Sequence, residues 1–391
     1  MTRAKRLIYM DNGATSFPKP PGVWEAMELF LREIGGSPGR SGHRLSQEAA
    51  RVVFDCREQV AALFGVKDSR RVAFTLNATE ALNTALLGIL GRGDRVVTTS
   101  MEHNSVMRPL RDLARSRGIL LEVVPSDSAG RPDLQALEGA LSVRTRLLVV
   151  NHASNVTGAV APLGDIGALA RKAGTLLVVD AAQSAGVIPI DVERDSVDLL
   201  AFTGHKSLLG PQGTGGLWVR EGVEVEPLCR GGTGSNSELE EQPTFYPDHL
   251  ESGTLNAVGL AGLRAGVDFI LGKGVDVIGQ RDKALTGRLL KGLETVPGIR
   301  VYGPGGDEER TAVVSFAIDG MVPSEVGFLL DEAFGILARV GLHCAPGAHQ
   351  TIGTYPAGTV RLSPGFFTTE GDIDRTIEAC SYLAGKKGGG A

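Results

Sequence analysis

Between residues 71 and 219 the chain alternates short, almost continuously apolar runs with longer stretches of helical period. The runs are RVAFTL, DRVVTTS, ILLEVVP, TRLLVVNHAS, TLLVVD, VDLLAFTG and GGLWV. A strand with one wet face shows polar residues at every second position. Most of these runs do not, so their strands are expected to be covered on both faces. Between them, ATEALNTALLGIL and PLGDIGALARKAG space their apolar residues as helices do, while MEHNSVMRPL reads as a loop leading into a helix. Earlier stretches of helical spacing cover 22–34 and 46–64. Strands of this kind joined by helices give an α/β fold with a mostly parallel sheet between two helical layers. In such sheets the functional loops gather at the carboxyl ends of the strands.

From about Leu260 the texture changes to two long helical patterns, then TAVVSFAI, a helix near PSEVGFLLDEAFG, the strand GTVRL and a last helix. This reads as a smaller α+β domain at the C-terminus. A length of 391 residues suits about two domains, expected at 16–260 and at 1–15 together with 261–391. The tail GKKGGGA is expected to fray. With 42% apolar and 22% charged residues a large core is available. A net charge of −5 argues against electrostatic binding to nucleic acid or to an anionic membrane. No apolar run approaches the roughly 18 residues of a membrane span. The opening MTRAKRLIYMDNGATS turns polar too early for a signal peptide. The four cysteines, Cys56, Cys229, Cys344 and Cys380, form no close pair, so a cytoplasmic setting without disulfides is expected.

Several strand-end loops carry reactive side chains: Ala78-Thr79, Glu102-His103-Asn104, Asn155, Asp180 with Gln183, and Thr203-Gly204-His205-Lys206. Each alone has a plain explanation. A lysine among glycines is a solvated charge, a strand-end aspartate or a threonine caps a helix, and an asparagine before Gly158 makes a turn. Together on one sheet edge they supply an amine, a carboxylate, an imidazole, an amide and helix N–H groups. Pyridoxal phosphate asks for this set: a lysine for its aldehyde, a carboxylate for its ring nitrogen, a flat group against its ring and donors for its phosphate. Other motifs fit less well. GPQGTGG leads into a strand, whereas a dinucleotide fingerprint opens a helix, and GHKS lacks P-loop spacing. His343, Cys344 and His349 have no partner pair at ligand spacing, so no metal is expected.

The stretches YMDNGATSFPKP, NATEALN, EHNS, HASNVTG, VVDAAQSAG, FTGHKSLLGPQGTGGLWV, ESGTLN, RVGLHCAPGAH and TVRLSPGFFTTEGDID span nearly the whole chain. In that order they resemble the cysteine desulfurases, class V relatives among the fold-type I pyridoxal-phosphate enzymes. They are most similar to the shorter-loop group that includes the selenocysteine lyases. The resemblance implies a large domain with a mostly parallel seven-stranded sheet. It implies that Lys206 forms the Schiff base, Asp180 pairs with the pyridine nitrogen and Gln183 contacts the ring oxygen. His103 would stack on the ring and assist proton movement, and Asn155 would lie near both substrate and cofactor. Ala78, Thr79, Thr203 and His205 would bind the phosphate. Thr254 would reach the phosphate of the neighbouring subunit in a homodimer, and Arg361 would hold the substrate carboxylate.

Cys344, in RVGLHCAPGAH, matches the family's persulfide-forming cysteine. The implied reaction takes L-cysteine, or L-selenocysteine in the same geometry, to alanine. The sulfur then passes to an acceptor thiol or a scaffold protein, as in iron–sulfur cluster assembly. Selenocysteine lyase, aminotransferase and epimerase are the neighbouring enzymatic readings, and a non-catalytic dimeric binding protein is the alternative outside enzymes. Two departures stand out: Leu342 replaces a histidine common in the family, and His249-Leu250 replace an arginine and an aromatic residue. Cys56 and Cys380 lie in helical patterns and are expected to be structural. Cys229, beside a glycine loop, is a secondary candidate for accepting sulfur.

Overall fold

The computed structural model describes residues 6–39, 41–235, 238, 240–306 and 308–388. A short strand β1 (Ile8–Tyr9) precedes α1 (Pro21–Leu29) and α2 (Arg44–Leu63). The large sheet holds β2 (Val72–Thr75), β3 (Arg95–Thr99), β4 (Leu120–Val124), β5 (Leu147–Asn151), β6 (Leu176–Asp180), β7 (Leu199–Thr203) and β8 (Gly215–Val219). Their spatial order is β2-β8-β7-β6-β5-β3-β4, and only β8 runs against its neighbours. The mostly parallel seven-stranded sheet is therefore as expected.

The central strands have no wet face. Every residue of β5, of β7 and of β8 is buried. In β5, Leu148 and Val150 face one apolar layer while Leu147 and Val149 face the other. The second layer is completed by α3 (Ala78–Ile89) and α4 (Asn104–Ser116). The first includes residues of α5 (Leu134–Leu141), α6 (Leu163–Ala173) and α7 (Ala257–Lys273). Helix α4 begins at Asn104, inside the stretch expected to be a loop, and it continues through Pro109. The buried face of Val106, Leu110 and Leu113 holds it helical despite the missing proline N–H.

The C-terminal third contributes α8 (Val275–Glu294), β9 (Ile299–Tyr302), β10 (Val314–Ile318), α9 (Pro323–Phe334), β11 (Ile336–Leu337), β12 (Arg339–Gly341), α10 (Pro346–Thr351), β13 (Thr359–Leu362) and α11 (Glu370–Gly388). Strands β12-β13-β10-β9 form an antiparallel sheet, and β11 pairs with β1. This sheet shares a core with α8, α9, α11 and the N-terminal residues Ile8 and Met10. A division after residue 260 cuts helix α7, and the helix residues beyond the cut, Leu263, Val267 and Ile270, lie in the core of the large sheet. Fraying was expected from residue 385, but the last helix continues to Gly388; residues 389–391 of that tail lie outside the described residues.

Candidate active site

The chain order explains where a ligand can bind. Strand β4 lies on one side of β3 and β5 on the other, so the connections leave the sheet in opposite directions there. A crevice opens at the carboxyl ends of strands at such a switch. A cavity of about 70 Å³ occupies it, lined among others by Ala78, Thr79, His103, Asn155, Asp180, Gln183, Thr203, His205 and Lys206. These are nine of the expected residues, carried there by five different connections.

Lys206 follows β7 in the turn Thr203-Gly204-His205-Lys206. Gly204 is required there, because a Cβ would collide with Thr214 Oγ1. The turn is held from the N-terminal segment: Ser16 Oγ donates to the Lys206 carbonyl (2.8 Å) and Thr15 Oγ1 to the His205 carbonyl (3.0 Å). Lys19 Nζ donates to the same His205 carbonyl (2.9 Å). Burial lowers the Lys206 amine to about 8, with Arg361 and Arg339 pushing the same way against Asp180 and Cys344. An amine of that kind is partly neutral near pH 7.5, as a base or nucleophile must be.

Asp180 ends β6, and its carboxylate accepts the Ala182 N–H (2.9 Å). Burial raises its proton affinity, while Lys206 opposes the shift. His103 caps α4, and its Nδ1 accepts the Ser105 N–H (3.1 Å). A neutral imidazole so placed carries its proton on Nε2. Burial first, then Lys206 and nearby arginines, depress it to about 4.

The phosphate expected near Ala78 and Thr79 has a fitting cradle. Both residues open the twelve-residue helix α3, whose cap Asn77 uses its side chain on the Glu80 N–H. Thr203 Oγ1 and His205 Nδ1 are buried in the same cavity without any partner among the described residues. Unpartnered donors beside a helix N-terminus are the donor set an anion requires.

Cys344 follows β12 and is exposed. It and His343 both adopt left-handed backbone, with φ of 60° and 48°. Three contacts hold that turn. The Cys344 carbonyl accepts the Asn104 N–H beside His103 (2.8 Å), the His343 carbonyl accepts Asn155 Nδ2 (2.6 Å), and Ala345 N–H donates to the Leu342 carbonyl (2.9 Å). The thiol-bearing loop is thus tied to two residues of the cavity region, and Cys344 is among the groups that act electrostatically on Lys206. Arg361, on β13, is 2% exposed. Its Nη1 donates to the Asn155 carbonyl (3.1 Å) and its Nη2 to Asp11 Oδ1 (2.7 Å).

Other expected residues lie elsewhere. Thr254 is exposed and does not line the cavity. His249 is engaged in its own loop, its ring nitrogens 2.8 Å from the Pro243 carbonyl and 2.9 Å from the Val225 carbonyl. Cys229 is exposed, whereas Cys56 and Cys380 are buried and pushed up to about 12 by burial. Among the described residues no group of three or more His, Cys, Asp or Glu side chains is arranged to hold a metal, and no helix is long and apolar enough to cross a membrane.

Sequence reasoning gave no role to Glu102 or to the N-terminal residues 11–19. Glu102 lies fully buried beneath the site, accepting the Thr99 hydroxyl (2.7 Å) and the Asn151 N–H (3.0 Å). Burial raises its carboxyl to about 8, so it is mostly protonated at neutral pH. The only signal was its place between a strand and the His103 cap.

The buried imidazoles outside the cavity give a pH prediction. Burial lowers His152 and His349 to about 4 and His343 to about 2. Unfolded histidine titrates near 6.5. The unfolded chain therefore binds more protons than the fold below about 6.5, and stability falls as pH drops from there toward 4. Each imidazole steepens the fall by at most about 1.4 kcal/mol per pH unit. Glu102 acts oppositely, since its raised value withdraws stability as pH climbs from about 4.5 to 8. Urea unfolding midpoints should drop markedly from pH 6.5 to 4.5, and replacing His152 by glutamine should flatten that slope.

The aminotransferase class-V family model matches residues 8–376. A "Probable cysteine desulfurase" of Methanothermobacter thermautotrophicus is 36% identical over 385 residues, covering 97% of this chain and 95% of that protein. One of Pyrococcus abyssi is 37% identical over 349 residues, 87% of this chain and 86% of the relative. Among solved structures, the apo cysteine desulfurase of Thermococcus onnurineus NA1 superposes with a TM-score of 0.91 at 34% identity, covering 97% of this chain and 95% of that one. The Escherichia coli cysteine desulfurase CsdA gives 0.86 at 27% identity, again with 97% and 95% covered.

Proposed function

This chain belongs to the class-V aminotransferase family, and from that premise we propose that it is a pyridoxal-phosphate-dependent cysteine desulfurase, forming L-alanine from L-cysteine with Cys344 as sulfur carrier. The observation that carries the reading is the tie between the Cys344 turn and the cavity. The loop that carries the thiol is fixed through its backbone, by the Asn104 amide on the Cys344 carbonyl and by Asn155 on the His343 carbonyl, near enough to Lys206 for Cys344 to act electrostatically on that amine. No other cysteine has such a place.

The residues present fit the cofactor. Lys206 would hold its aldehyde, Asp180 its ring nitrogen, Gln183 its ring oxygen and His103 its ring face. Ala78, Thr79, Thr203 and His205 would hold the phosphate, with Thr254 reaching that of a partner subunit. When bound, the cofactor supplies an acceptor for the electrons released at the substrate's Cα. Asp180, whose desolvation Lys206 offsets only in part, would be the residue that pairs with a cationic ring nitrogen.

The chain's own groups do the rest. Arg361 takes the substrate carboxylate, with Asn155 beside it. Lys206, neutral in part because of its lowered proton affinity, removes the Cα proton. His103 presents a neutral N–H close to the moving charge. The Cys344 thiolate attacks the substrate sulfur. An S–S bond forms, the Cβ–S bond breaks with its electron pair left on carbon, the proton given up by the Cys344 thiol makes the new Cβ–H bond, and the proton held by Lys206 returns to Cα. The products are L-alanine and a Cys344 persulfide, whose outer sulfur passes to an acceptor thiol or scaffold protein. The two-unit organisation, the homodimer and a cytoplasmic location belong to the same reading.

An absorbance spectrum before and after adding L-cysteine, with alanine and persulfide assayed together, tests it. A visible cofactor band that changes on addition, with one alanine formed per persulfide in a single turnover, is the expected result. Turnover of L-selenocysteine alone would replace the reading with selenocysteine lyase.

A further inference from the structure

We propose that Asp11 and Gly13 are positioning residues that set the Arg361 guanidinium in the orientation that receives the substrate's α-carboxylate. The inference rests on the reading of Arg361 as the carboxylate clamp.

A guanidinium carries five N–H donors. In Arg361 the chain engages two nitrogens: Nη2 on Asp11 Oδ1 at 2.7 Å and Nη1 on the Asn155 carbonyl at 3.1 Å. Nε is buried and has no partner among the described residues. A buried donor left unsatisfied is costly, and a carboxylate is the anion whose two oxygens match a guanidinium fork. The two engaged nitrogens fix which way the remaining donors point.

Gly13 closes one face of the same group. A Cβ at this position would lie 3.3 Å from Arg361 Cζ and Nη2, and 3.2 Å from Ser363 Oγ. The bare backbone therefore lies against the guanidinium plane. It is itself fixed, since the Gly13 N–H donates to Ser363 Oγ (2.9 Å) and its carbonyl accepts Gln183 Nε2 (2.9 Å). The neighbouring Asn12 N–H donates to the Ser363 carbonyl (3.1 Å) and Ser363 N–H to the Met10 carbonyl (2.6 Å). The N-terminal segment is thus laced to the residue two places beyond Arg361.

Charge makes the Asp11 contact necessary. Arg339 stands directly across from Arg361 in the β12–β13 register. Like charges opposed on neighbouring strands repel, and of the two only Arg361 has a carboxylate partner among the described residues. Burial and, less strongly, Arg339 weaken the hold of Arg361 on its proton, and Asp11 opposes them in part. Without Asp11 the guanidinium would be free to turn away from its neighbour.

The opposite expectation is that Asp11 merely competes with the substrate, in which case removing it would tighten binding. Asp11→Asn in the holoenzyme separates the two. The measurements are KM and kcat for L-cysteine, and calorimetric dissociation constants for L-alanine and for ethylamine, which has the amine but no carboxylate. The expected result is a rise of about 10- to 100-fold in KM and in the alanine constant, with kcat within about threefold and ethylamine unaffected. Asp11→Glu should recover part of the loss. Should Asp11→Asn fail to fold, Gly13→Ala carries the test with Asp11 intact, expected to weaken alanine by about 3- to 10-fold. Unchanged or tighter alanine binding in these variants, with weaker binding in Arg361→Lys, would overturn the positioning role and leave the clamp standing. Unchanged binding in Arg361→Lys would remove the clamp itself, and the inference with it.

Discussion

Lys206→Ala is expected to lower alanine formation from L-cysteine by at least about 10⁴-fold. A positioned general base alone contributes about 10²- to 10⁴-fold, and in the proposed reading the same amine would also engage the carbonyl group of the cofactor. The cause lies in the site's electrostatics. Burial, with Arg361 and Arg339 adding to it, brings the amine to about 8. Lys206→Arg keeps the positive charge but not this property, because a guanidinium stays protonated at any working pH. It should be as inactive as the alanine variant. Alanine assays on the two variants, beside circular dichroism to confirm the fold, make the comparison. An arginine variant with substantial activity would mean that Lys206 serves only as a charge.

Cys344→Ala should be the second large loss, with alanine formation falling by about 10³-fold or more and no protein persulfide. Removing the nucleophile removes the covalent route altogether. The cofactor spectrum and the binding of L-cysteine should persist, since none of the cavity-lining residues is touched. The backbone offers an independent check. Cys344 sits at φ 60°, where a side chain costs about 1 kcal/mol and glycine costs nothing. Cys344→Gly should therefore be inactive yet no less stable than the parent. A strongly destabilised glycine variant would argue that the side chain, not the chemistry, keeps this residue in place. Full alanine formation by Cys344→Ala would end the sulfur-carrier assignment.

Both predictions rest on residues that the sequence already marked. Local composition determined the large sheet, because runs such as LLVVN and LLVVD can be stable only when buried on both faces. Parallel order then followed from the helices between them, and strand-end placement put Lys206, Asp180 and His103 on one edge. These are short-range facts, and neighbouring residues carry them. The start of α4 is not marked locally, since Pro109 disfavours a helix interior, while the burial of Val106, Leu110 and Leu113 overrides it.

The sequence was silent on contacts made by elements far apart in the chain. Asp11 and Arg361 are separated by 350 positions, as are Gly13 and Ser363. Nothing in the stretch around Asp11 announces a guanidinium partner. Only the pairing of β1 with β11 and the isolated bridge from Asp11 to Ser363 bring the N-terminal segment beside β13. The burial that makes Glu102 a neutral acid is likewise a property of packing, since an exposed glutamate in the same loop would be charged at neutral pH. Sequence determined which chemical groups the site owns, because residue type is local. Tertiary structure decided which of them are desolvated, paired and aimed, because proton affinity and hydrogen bonding depend on what the rest of the chain places around each group.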